Sequence, residues 1–118
     1  MSQPDPRVVV CRGCCCGTPR KHPDVDHDAQ LRALRSRLGA GAVRTADCLG
    51  PCGDSNVLVV LPSGTGRRAG GRPAWLGFVL SDAAVDDVVT WLGAGGPGVA
   101  PIPATLDLHR ITPPLPVA

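Results

Sequence analysis

Residues 28–38 read Asp-Ala-Gln-Leu-Arg-Ala-Leu-Arg-Ser-Arg-Leu, and the arrangement of the rest of the chain follows from this stretch. Leu31, Leu34 and Leu38 recur at spacings of three and four, which puts them on one face of an amphipathic helix. Asp26 or Asp28 suits its N-cap, and Gly39 suits its stop. Upstream, residues 17–27 are polar, and Pro19 and Pro23 keep helix from forming before that point. An apolar run stands on either side: Arg7-Val-Val-Val10, leading straight into Cys11, and Ala42–Ala46, ending at Asp47 and Cys48. Each reads as a short strand. Strand, helix, strand in that order suits a right-handed parallel crossover.

Further out, Val57–Leu61 is continuous and β-branched, as expected of a central strand covered on both faces. Pro62 to Pro73 holds four glycines and three arginines and reads as an exposed, mobile hairpin loop. Ala74–Leu80, with Trp75 and Phe78, reads as a fourth strand, antiparallel to the third. Ser81 then caps a helix over 82–92, with Asp82 in its first turn and Val85, Val88, Val89 and Leu92 on its apolar face. From Gly93 the chain is rich in Gly and Pro and aperiodic, which predicts an extended tail. The expected class is α/β: strand-helix-strand-strand-strand-helix, a mixed four-stranded sheet with helices packed on it, in the thioredoxin-like arrangement. Residues 1–92 form the domain of this reading and 93–118 an irregular Gly/Pro-rich C-terminal tail.

Composition narrows the function. At 118 residues the chain suits one domain, and its hydrophobic fraction of 43% and mean hydropathy of +0.09 are those of a globular protein. No apolar run approaches the roughly 20 residues of a membrane helix, so no membrane partner is expected. Met1 to Arg7 is polar and Val8–Val10 is too short for a signal-peptide core, which predicts a cytoplasmic location. Twelve basic against ten acidic residues give a formal +2, and only 3% are aromatic. That balance offers neither the polycation nor the stacking platform of a nucleic-acid binder.

The cysteines carry the chemistry. All six fall in two tight groups, Cys11, Cys14, Cys15 and Cys16, then Cys48 and Cys52. In a reducing compartment such clusters serve as metal ligands or redox groups rather than structural disulfides. With parallel first and second strands, Cys11 and Cys48 end neighbouring strands, and both loops emerge from one edge of the sheet. Four thiolates can converge there, as a [2Fe–2S] rhomb requires. Gly13, Gly17, Gly50 and Gly53 would let backbone amides approach the sulfurs, and Arg12 adds positive charge.

Cys11-x4-Cys16 and Cys48-Leu-Gly-Pro-Cys52, on either side of a helix and a short strand, resemble the thioredoxin-like [2Fe–2S] ferredoxin family. That family includes the peripheral [2Fe–2S] subunit of respiratory NADH dehydrogenase. Its second motif commonly reads Cys-x-Gly-x-Cys, which Cys48–Cys52 matches at every defined position. The resemblance covers residues 7–92 and implies Cys11, Cys16, Cys48 and Cys52 as cluster ligands. The compact first motif is nearer the respiratory-subunit form than the wider spacing of many free-standing members. Cys14 and Cys15 have no counterpart in the pattern, and either is an alternative to Cys16. The resemblance is also compatible with a homodimer.

Other readings stay open beside it. Zinc takes four thiolates too, in a structural or interaction module. Cys11-Arg-Gly-Cys14 fits the Cys-x-x-Cys of a thiol–disulfide oxidoreductase, but that use leaves Cys48 and Cys52 without a role. His22, His27 and His109 are expected at the surface when a full thiolate set is available. Arg67, Arg68 and Arg72 could dock an acidic redox partner, but a solvated loop tip is the favoured account of them. Trp75 and Trp91 suit packing. The function expected from all this is that of a one-electron carrier for redox partner proteins, not a catalyst with its own substrate. Four deprotonated thiolates and a diferric core would bring the formal charge from +2 to about zero.

Overall fold

The β-branched run Val8–Val10 builds the first strand, β1 (Arg7–Cys11), with two differently buried sides. The computed structural model describes residues 6–12, 25–47 and 56–111. Val8 and Val10 are fully buried against the main core, while Cys11 belongs to a smaller apolar cluster with Val57, Trp75 and Ile111.

The first helix, α1 (His27–Leu38), starts where the Asp26 carboxylate accepts the Ala29 N–H at 2.9 Å and ends at Gly39, whose φ of 89° is open to glycine. One 3₁₀ turn, Ala40–Ala42, leads into β2 (Val43–Ala46). The elements after it are β3 (Leu58–Leu61), α2 (Gly64–Arg68), β4 (Ala74–Leu76), α3 (Asp82–Gly93) and α4 (Ala104–Asp107).

The sheet order is β2-β1-β3-β4. β1 and β2 run parallel with Cys11 opposite Ala46, and β1 and β3 run antiparallel with Val10 opposite Leu58. β3 and β4 are antiparallel, with Leu58 opposite Leu76. Leu34 of α1 and Val85, Val88, Trp91 and Leu92 of α3 meet Val8, Val10, Leu58, Val60 and Leu76 in one core, so both helices cover the same face. An exposed Arg37–Asp86 ion pair joins the two helices at their surface. The α/β class, the parallel first pair and the antiparallel second pair are as expected. β3 is interior and buried over Leu58, Val59 and Val60.

Three expectations need correction. The loop expected over Pro62–Pro73 contains α2, capped by the Ser63 hydroxyl, which accepts the Gly66 N–H at 2.9 Å. A Cβ at Gly66 or Gly71 would run into the Pro97 carbonyl, so these glycines permit close packing rather than motion.

The fourth strand stops at Leu76 rather than Leu80. Phe78 adopts φ 56°, which turns the chain out of the ladder and leaves the ring 49% exposed.

The extended tail expected from Gly93 is, through Ile111, packed structure. Leu106 of α4 is fully buried in the main core, and the Trp91 indole donates to the Ala100 carbonyl at 2.9 Å. Gly77 N–H donates to His109 O and Ile111 N–H to Trp75 O, each at 2.8 Å, so this segment lines the outer edge of β4. Apolar residues spaced too irregularly to show a period still anchor it. Among the described residues no helix is long and apolar enough to cross a membrane.

Candidate metal centre

β1 delivers Cys11 to the end of the sheet, with its side chain 3% exposed. Its N–H donates to Val57 O at 3.0 Å, and the next N–H, of Arg12, donates to Ala46 O at 2.8 Å. Cys11 thus sits between the last residue of β2 and the residue preceding β3. The segment with Cys48 and Cys52 lies between Asp47, one residue past β2, and Asn56, two residues before β3, and Cys11 stands between those two strands. The segment with Cys14, Cys15 and Cys16 begins directly after Arg12. Parallel pairing of β1 with β2 and antiparallel pairing of β1 with β3 put all these departures and returns at one end of the sheet.

Of the predicted ligands, Cys11 is the one within the described residues; Cys14, Cys15, Cys16, Cys48 and Cys52 lie outside them. So do His22 and the four glycines at 13, 17, 50 and 53. Among the described residues no group of three or more His, Cys, Asp or Glu side chains is placed to hold a metal ion.

His27 departs from its expected surface position: it is 5% exposed, in the first turn of α1, and its Nδ1 lies 2.9 Å from Asn56 Nδ2. His109 is half-buried, with Nδ1 3.0 Å from the Gly77 carbonyl oxygen. Each has a hydrogen-bond partner far along the chain, Asn56 for His27 and Gly77 for His109, which residue type alone does not reveal. Arg67, Arg68 and Arg72 are exposed, and Trp91 is core.

Among the described residues, Arg12 places a cation beside Cys11. Its Nη1 donates to Cys11 O at 2.9 Å, and its Nη2 donates to Gln30 Oε1 at 2.9 Å and His27 O at 3.2 Å. No family model, curated protein or solved structure matches the chain. What the site can do therefore follows from its own geometry.

Gln30 and Asn56 are the neighbours that sequence reading missed. Gln30 is 8% exposed and donates through Nε2 to the Val79 carbonyl at 2.8 Å; Asn56 is fully buried. A signal existed for each. Gln30 precedes Leu34 by one helical repeat and so shares the core-facing side, and Asn56 directly abuts the buried run Val57–Val60.

Proposed function

We propose that the chain is a one-electron carrier that binds a single [2Fe–2S] cluster through Cys11, Cys16, Cys48 and Cys52 on a thioredoxin-like fold. One observation carries the reading: backbone hydrogen bonds of Cys11 and Arg12 tie β1 to both Val57 and Ala46, so the segments with all six cysteines spring from one end of the sheet. A sheet ordered β2-β1-β3-β4, parallel only between β1 and β2, is consistent with the thioredoxin-like arrangement. The donor chemistry fits as well. Cys11 is a soft ligand in an apolar setting beside Val57, Trp75 and Ile111, where exclusion of water protects a thiolate-bound centre.

When bound, the cluster would accept and release one electron, and the chain's part is to hold it, shield it and tune it. Arg12 places a guanidinium beside the Cys11 backbone, which favours added negative charge nearby. The partners of this reading are redox proteins, the location is the cytoplasm, where thiols stay reduced, and a homodimer is compatible with it. Burial of Cys11 counts against thiol–disulfide exchange through Cys11-Arg-Gly-Cys14, because an attacking thiolate must be reached by its substrate.

An anaerobic ultraviolet–visible spectrum with iron, sulfide and zinc analysis tests the proposal. Visible charge-transfer bands with about two irons and two sulfides per chain are expected. A colourless protein with stoichiometric zinc would replace the carrier by a zinc-stabilised structural module. The ligand set has its own test: Cys14→Ser and Cys15→Ser should leave the spectrum nearly unchanged, and Cys16→Ser should shift or abolish it. The reverse pattern for Cys15 and Cys16 would reassign the second ligand.

A further inference from the structure

Four side chains that the cluster reading does not require as ligands, half-buried Arg12 and buried His27, Gln30 and Asn56, form one polar network at the cysteine end of the sheet. Arg12 lies one residue after β1, His27 and Gln30 open α1, and Asn56 precedes β3. Gln30 Oε1 accepts from Arg12 Nη2 at 2.9 Å and from Asn56 Nδ2 at 3.5 Å, while Gln30 Nε2 donates to Val79 O at 2.8 Å. Asn56 O in turn accepts the Val79 N–H at 3.1 Å.

The donors and acceptors are determined by their fixed ends. Arg12 can only donate and a backbone carbonyl can only accept, so the Gln30 amide has one workable orientation. With its oxygen toward Asn56, the Asn56 amide must present its NH₂. His27 Nδ1, 2.9 Å from that nitrogen, must then be the acceptor. In this pattern Nδ1 carries no proton and the ring N–H is at Nε2.

We propose that Arg12, His27, Gln30 and Asn56 are positioning residues: they tie together the points where both cysteine segments join the sheet and immobilise a guanidinium next to Cys11. Arg12 closes the first segment onto α1 through His27 O and Gln30, and its backbone N–H holds Ala46, where the second segment departs. Asn56 closes the return of that second segment onto His27 and Gln30. Arg12 and the Val79 carbonyl fix the polarity of Gln30, and Gln30 passes it on to Asn56 and His27. This rests on the proposed cluster site for its purpose, but not for its hydrogen-bond pattern.

Two readouts separate those levels. In full-length protein with ¹⁵N-labelled histidine, His27 should show unprotonated Nδ1 and protonated Nε2, with its signals assigned by their loss in His27→Gln. Asn56→Asp exchanges the donor for an acceptor and should move the proton onto Nδ1. A wild-type His27 protonated on Nδ1, or a tautomer indifferent to Asn56→Asp, overturns the network whether or not a cluster binds.

The second readout is the reduction potential of the cluster-loaded protein. Arg12→Gln should make it more negative than Arg12→Lys does, with the oxidised spectrum preserved in both. Equal potentials for wild type, Arg12→Gln and Arg12→Lys would overturn the role of the fixed cation. Protein that never assembles a cluster in the wild type would remove the carrier reading and this purpose for Arg12, while the histidine spectrum still decides the network.

Discussion

Among the described residues, Phe78 is the one non-glycine with a positive φ. Its φ of 56° lies in the left-handed region, which costs an L-residue roughly 1–2 kcal/mol. Flanking contacts hold it there: Gly77 bonds His109 through both its N–H and its carbonyl, and Val79 bonds Asn56 and Gln30 in the same way. Phe78→Gly removes the backbone cost and a half-exposed ring; Phe78→Val keeps the cost and adds β-branching. Urea unfolding should therefore find Phe78→Gly the more stable variant by about 1–2 kcal/mol. Equal stabilities would mean that the left-handed backbone at this position carries no measurable cost. Individual polar residues were the least legible part of the site. His27 looks like any surface histidine near a helix start, yet it is buried and its partner Asn56 is 29 residues away.

Elements were far more legible, because caps and periodicity act within a few residues. Asp26, Gly39 and Ser81 terminate α1 and α3 in the roles their residue types suit. The Ser81 hydroxyl accepts the Ala84 N–H at 3.1 Å, and Ser81→Ala should cost about 1 kcal/mol in thermal or denaturant unfolding. Glycine-rich stretches misled for a physical reason. The same residue serves a loose loop and a tight contact, and only the opposing surface distinguishes them. Gly98 has φ 84°, and a Cβ there would meet the Gly66 carbonyl, whereas Gly93 in α3 has open space around it. Gly98→Ala should lower the melting temperature clearly, and Gly93→Ala should leave it unchanged or raise it slightly. Similar effects at both positions would show that the α2 segment is not held against residues 97–98.

At the scale of the whole molecule, the C-terminal segment completes the core. Leu106 is fully buried with residues from both long helices, and residues 109–111 line the outer edge of β4. Leu106→Ala should destabilise by about 2–5 kcal/mol, the range for truncating a buried leucine. A near-neutral Leu106→Ala would restore the extended tail from Gly93. From the sequence alone came the order of the main elements, the helix termini and the grouping of six cysteines around one strand-helix-strand unit. These are properties of neighbours along the chain: a repeat of three and four, a capping hydroxyl, a β-branched run. The tertiary structure alone decided that β1 lies between β2 and β3, that residues 94–111 belong to the packed body, and that Arg12, His27, Gln30 and Asn56 meet at the cysteine end. Each of those depends on contacts between residues far apart in sequence, where burial and hydrogen-bond partners are set by what the fold brings opposite, not by the residue or its neighbours.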